Sequence, residues 1–159
     1  MYSNIADLLK DNDENIIKDF VNDENRTKSL IVLDATDPNY DANDVAVLRI
    51  DEQITAADDE IDSYLRGRYD LPLASVPGRI KQISKDIAIY NLYKRRQRDS
   101  MPDSIVSIYK ERLKELEKIR NGKIDLGIES TEVKSSSGIF KTNKKSTDKM
   151  FPTSTLDNY

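Results

Sequence analysis

Apolar residues settle into a helical rhythm at Val47, Ile50, Ile54, Ala57, Ile61 and Leu65, recurring at steps of three and four. That spacing lines one face of a helix of about six turns that begins near Asp44. A second stripe, Ile80, Ile83, Ile87, Tyr90 and Leu92, predicts a helix over 80–98. A third, Ile105, Ile108, Tyr109, Leu113, Leu116 and Ile119, predicts another that ends at Asn121-Gly122. Shorter pieces come first: Ile5, Leu8 and Leu9 form a brief apolar face capped by Ser3 or Asn4, and IIKDFV, 16–21, is a second amphipathic segment. The run Leu30, Ile31, Val32, Leu33 has the β-branching of a buried strand and the length of the first turns of a packed helix, and its state stays open. The pattern predicts an all-α chain: a small antiparallel helical bundle with extended elbow segments over 1–128, and a long polar C-terminal arm over 129–159.

Punctuation supports this division. In DATDPNYDAND, Pro38 blocks helix propagation from the left, and Asp41 or Asn43 can cap the long helix. That helix runs into RGRYDLPL, where Gly67 suits a left-handed C-terminal cap and Arg66 and Arg68 suit the negative end of the helix dipole. Pro72 forces Leu71 out of helical angles, so Leu71 and Leu73 leave in extended form to plug the gap between helices while Tyr69 covers the corner. In DSMPD, Ser100 can cap the next helix and Pro102 can occupy its first turn. Beyond residue 128 the periodicity stops, and Ile139-Phe140, Met150-Phe151, Leu156 and Tyr159 are isolated apolar beads on a polar segment. Anchors so spaced suit an arm that docks on a partner; the rival reading is a dangling tail whose apolar residues mean little.

Composition narrows the chemistry. The chain of 159 residues has room for one modest core. It has no cysteine and no histidine, which excludes disulfides, thiol catalysis and the commonest zinc ligands, and removes the usual general base. The first residues lack the basic start and apolar run of a secretion signal, and no run is long enough to span a bilayer, so an intracellular setting without a membrane is expected.

The net charge of -4 conceals a polarity: residues 1–62 carry 17 acidic and 5 basic side chains, whereas residues 63–128 carry 8 acidic and 15 basic. Such a layout either steers association with copies or charged partners, or is neutralised within the fold.

Neither a phosphate loop, a glycine-rich nucleotide fingerprint, an HExxH nor a calcium loop occurs. Asp58 and Asp62 share a helix face and could hold a hard cation, but without converging ligands they read as solvated surface, and no metal or cofactor is expected. Tyrosines 64, 69, 90, 93 and 109 could share protons with Asp86 or Asp70, although at helix spacing they read as core-edge residues, so no catalytic residue is assigned. Arg66 and Arg68 can each fork onto a carboxylate, and in a ring of identical subunits the Asp58–Asp62 surface of a neighbour could receive them. Lys94, Arg95, Arg96 and Arg98 end the second stripe as a basic cluster that suits the helix dipole, phosphate or an acidic partner, with Lys144-Lys145 as a second basic pair.

The segment ITAADDEIDSYLRGRYDLPLASVPGRIKQISKDIAIYNLYKRR resembles a Mu-like prophage protein family, itself similar to small helical head-completion or head–tail connector proteins of tailed phages. The likeness rests on an A-x-x-E-I-x-x-Y-L-x-x-R-Y-x-x-P-L pattern, met here by Ala57, Glu60, Ile61, Tyr64, Leu65, Arg68, Tyr69, Pro72 and Leu73. It continues through Pro77, Asp86, Ile87, Ala88 and Tyr93 to a G-K-x-x-L-G exit at Gly122, Lys123, Leu126 and Gly127, and covers residues 1–127. The arm and the LIVLDATD insert are its departures.

The resemblance implies a structural virion protein at the head–tail junction, assembled in the host cytoplasm. It would form a twelve-fold ring under the portal protein, pass DNA through its lumen with transient non-specific contact, and meet a tail or stopper protein below. Ring and portal contacts are expected from Arg66, Arg68, Tyr69, Leu71, Leu73, Asp58 and Asp62, and from the apolar beads of the arm. The alternative is a helical nucleic-acid-binding module acting through the basic helix end.

Overall fold

The computed structural model describes residues 1–96 and 100–130, and among these the regular structure is helical, with no strand. Five α-helices follow in order among the described residues: α1 (Ile5–Asp11), α2 (Glu14–Val21), α3 (Val45–Leu65), α4 (Gly78–Arg96) and α5 (Asp103–Arg120), and a 3-10 turn lies at Lys28–Leu30. The expected arm, and with it Arg98, Ile139, Phe140, Lys144, Lys145, Met150, Phe151, Leu156 and Tyr159, lies outside the described residues.

Helix α3 is the spine. All six residues of its predicted stripe are buried, and full burial of one such Ile, Val or Leu side chain is worth about 1.5–3 kcal/mol. Helix α4 packs antiparallel to it: Ser84 meets Asp58, and Asn91 and Lys94 border the hollow that also touches Gln53. Helix α5 runs antiparallel to α4 in turn, with Tyr109 stacked on Tyr90 at 3.8 Å between ring centroids and Arg112 Nε 2.6 Å from Asp86. Helices α1 and α2 close the bundle, the latter bringing Phe20 within 4.4 Å of the Tyr93 ring.

The cap residues differ from the expectation in instructive ways. Asn4 caps α1 through a reciprocal box with Asp7. Neither Asp41 nor Asn43 caps α3; the cap is Asp44, whose Oδ1 accepts from the Ala46 amide at 2.8 Å. Asp34, Asp37 and Asp41 instead each accept the amide two residues on, at 2.8–2.9 Å, giving three successive Asx turns where the sequence showed only a break. Pro102, without a side-chain cap bond, precedes α5 in place of Ser100.

The open segment resolves as the end of the 3-10 turn at Leu30 followed by chain without helix: Leu30 is 67% exposed, Ile31 and Leu33 are buried, and Val32 is half-buried. Side chains alternate with the period of a strand, but no neighbouring strand pairs with it among the described residues.

Candidate functional site

The elbow after α3 is built without a left-handed residue. The amides of Arg68 and Tyr69 both donate to the Leu65 carbonyl, at 2.9 and 3.0 Å, so the last turn tightens and Gly67 stays out of the positive-φ region. This corrects the expected cap at Gly67. The left-handed stop is at Gly122, φ 73°, where Gly122 N donates to Ile119 O and Lys123 N to Lys118 O in the paired pattern of a Schellman motif.

Arg66 and Arg68 part company at this turn. Arg66 is exposed, and its side chain makes no hydrogen bond or ion pair with the described residues. Arg68, 8% exposed, points inward, donates from Nη1 to the Ile119 carbonyl at 3.3 Å and lies 5.7 Å from the Tyr69 ring centroid. Its charge faces the carbonyl end of α5, where the helix dipole is negative, but its Nε has no partner. Tyr69 is buried beside it, and its hydroxyl accepts from the Leu126 amide at 3.3 Å. Leu71 and Leu73 are half-buried against the core. Arg68 and Tyr69, both expected at an interface, are thus taken up within the subunit.

The same holds for the acids. Asp58 accepts from the Tyr2 amide and from Ser84 Oγ, each at 2.8 Å, and Ser84 Oγ also meets Ser3 Oγ at 2.8 Å. Asp62 accepts from the Tyr2 hydroxyl. Burial raises the Asp58 carboxyl above its ordinary value, and burial followed by the bond to Asp62 raises the Tyr2 phenol. Rather than lying as a solvated acidic surface, these carboxylates anchor the N-terminal segment to α3. Among the described residues no group of three or more acids converges as a metal site.

The charge polarity is largely answered inside the fold. Asp23 takes both Arg95 and Arg96, Asp7 takes Lys81 at 2.8 Å, and Asp11 takes Lys85. Arg95 also donates to the Phe20 carbonyl at 2.8 Å. The Asp23 pairs lie at the surface and are worth about 0–1 kcal/mol each, so they orient α2 more than they stabilise it; the Asp7 carboxylate is buried. The basic helix end is thereby reduced, among the described residues, to the exposed Lys94 as its unpaired cation. The tyrosines do not meet Asp86 or Asp70: Tyr109 donates to Glu60 at 2.9 Å, and Asp86 is held by Gln82 and Arg112.

The described residues leave the outer face of α3 uncovered. Val45, Leu48, Glu52, Thr55, Ala56, Asp59, Ser63 and Arg66 are all exposed, with Val45 at 47% and Leu48 at 51%. The face is apolar at its start, acidic in its middle and cationic at its end. No described helix is long and apolar enough to cross a membrane.

The family model described as Bacteriophage Mu, Gp36 matches residues 2–143 of the chain. The chain belongs to that family. It is similar to the Mu-like prophage FluMu protein gp36 of Haemophilus influenzae, 38% identical over 80 residues, which cover 50% of this chain and 54% of that protein. It is also similar to gene product J of Escherichia phage Mu, 35% identical over 79 residues, covering 49% and 52%. The chain thus matches about half the length of these curated relatives. The family match runs past the 1–127 of the resemblance and takes in Ile139-Phe140.

Proposed function

We propose that this phage protein is a structural virion component, a head–tail connector whose copies form a twelve-fold ring under the portal protein at the head–tail junction. DNA passes through the ring, and its far side meets a tail or stopper protein. Beyond family membership, the observation that carries this reading is the outer face of α3, uncovered from Val45 to Arg66 and unlike at its two ends. Closing a ring through one repeated contact needs two different, complementary patches per subunit. The apolar beads at Ile139-Phe140 and Met150-Phe151 would add an arm that reaches a neighbour or the portal.

Particles made without the protein test the reading. The expected result is DNA-filled heads with no tail attached; normally tailed particles would overturn it. Deleting residues 129–159 is expected to weaken portal binding, and unchanged affinity would remove the arm from the connector's contacts. The nucleic-acid module finds less support, because Asp23 already neutralises Arg95 and Arg96.

A further inference from the structure

Among the α3 carboxylates without a partner from the described residues, Glu52 and Asp59 are exposed and Asp51 is half-buried. Asp58 and Asp62 hold the N-terminal segment and Glu60 accepts from Tyr109, but no hydrogen bond or ion pair from the described residues reaches Asp51. It borders a hollow of about 200 Å³ whose other walls include Asn4, Ile5, Leu33 and Tyr40. Loss of water around it raises its carboxyl above the ordinary value. A cavity of about 150 Å³ takes a benzene-sized group, so there is room here for a planar guanidinium and part of its stem. Walls of Ile5, Leu33 and Tyr40 beside a single carboxylate suit a cation carried on an aliphatic chain, because the apolar part covers the methylenes and the acid meets the head.

Arg66 has the complementary character. It is exposed, uncommitted and at a corner, beside Gly67, where even an added Cβ would meet nothing within 4 Å. The two cannot meet within one chain, since both belong to the α3 rod: about fifteen residues along a helix is about 22 Å. An Arg66 that reaches Asp51 therefore belongs to another copy.

We infer that Arg66 of one copy seats in the Asp51 hollow of the next, as the repeated head-to-tail contact of the ring. This rests on the connector reading and replaces the expected Asp58–Asp62 acceptor with an acid that is open. Donor and acceptor lie at different points of one rod, so each copy gives at one end and receives at the other, which propagates until the ring closes.

The test uses charge exchange in the full-length chain, followed by native mass measurement at low salt. Arg66→Glu and Asp51→Lys are each expected to weaken association roughly 10- to 100-fold, since each leaves one charge facing its like. Mixed in equal amounts they should assemble again into oligomers larger than two. In such a mixture the introduced glutamate faces the introduced lysine at one contact, and the unaltered Arg66 faces the unaltered Asp51 at the next. Asp51→Asn, of nearly the same size, should weaken association while keeping parental helicity, which separates a lost contact from a lost fold. A mixture that stays monomeric while the parent assembles would overturn the contact and leave the connector reading standing. So would a parent or mixture that stops at a two-fold dimer. A parent chain that is monomeric both alone and on the portal would overturn both.

Discussion

The Arg68 guanidinium fills the space that a side chain at residue 122 would need, so the elbow after α3 and the exit after α5 interlock. Tyr69 extends the joint by accepting from the Leu126 amide. Two segments far apart in the chain thereby form one structural unit.

Gly122→Ala is therefore expected to be costly chiefly for the left-handed backbone at φ 73°, and the end of the Arg68 side chain also has to shift to admit the methyl. The backbone alone costs about 1–2 kcal/mol, so a total loss of roughly 2 kcal/mol or more is predicted by urea melts. Gly67→Ala is the control: its backbone is not left-handed and its surroundings are open, so a change within about 1 kcal/mol, in the stabilising direction, is predicted. Equal losses at the two glycines would contradict this assignment of the turns.

Arg68 carries a buried charge with no carboxylate and an unpartnered Nε. Replacing it with methionine keeps most of the volume and leaves the Ile119 carbonyl its bond from Gly122. Arg68→Met should melt at or above the parental temperature, while Arg68→Ala, which leaves a void, should lose about 2 kcal/mol or more. A large loss in the methionine variant would show that the charge itself holds the joint.

Two aspartates should move stability with pH in opposite senses. Burial raises Asp58, so its contribution is full below 3.8 and is lost as pH rises through its folded value. Arg26 lowers Asp44, so that contribution is present above 3.8 and is lost as pH falls through its folded value. In urea melts between about pH 3 and about pH 7, Asp58→Asn should gain on the parent as pH rises, and Asp44→Asn should lose on it. Parallel profiles would refute both assignments.

If Asp23 masks the basic end of α4, Asp23→Asn should bind duplex DNA more tightly than the parent, with a salt dependence steeper by about one to two phosphate contacts. Identical binding by parent and variant would mean that this helix end does not face nucleic acid.

The bundle was legible because its signal is local. Stepping by three and four from Val47 to Leu65 names side chains that are all buried. The same steps carried further identify Arg68, which follows Leu65 by three as Leu65 follows Ile61 by four, and so falls on the core stripe while Arg66 does not. Asp51 and Asp58 also lie on that stripe, seven apart, which is the sequence trace of the half-burial of the first and the burial of the second. Gly67 and Gly122 could not be told apart, because each follows an apolar stripe and the handedness of a stop depends on where the chain goes next. The partners of Asp23 and Asp58 were out of reach for another reason: Arg95 and Tyr2 are brought to them by packing across 72 and 56 positions.

The ring under the portal is tested most directly by native mass measurement of the full-length chain mixed with the portal of its own phage. A discrete complex carrying a full ring of copies per portal assembly is predicted. A spectrum of bare portal and free monomer at every mixing ratio would contradict it.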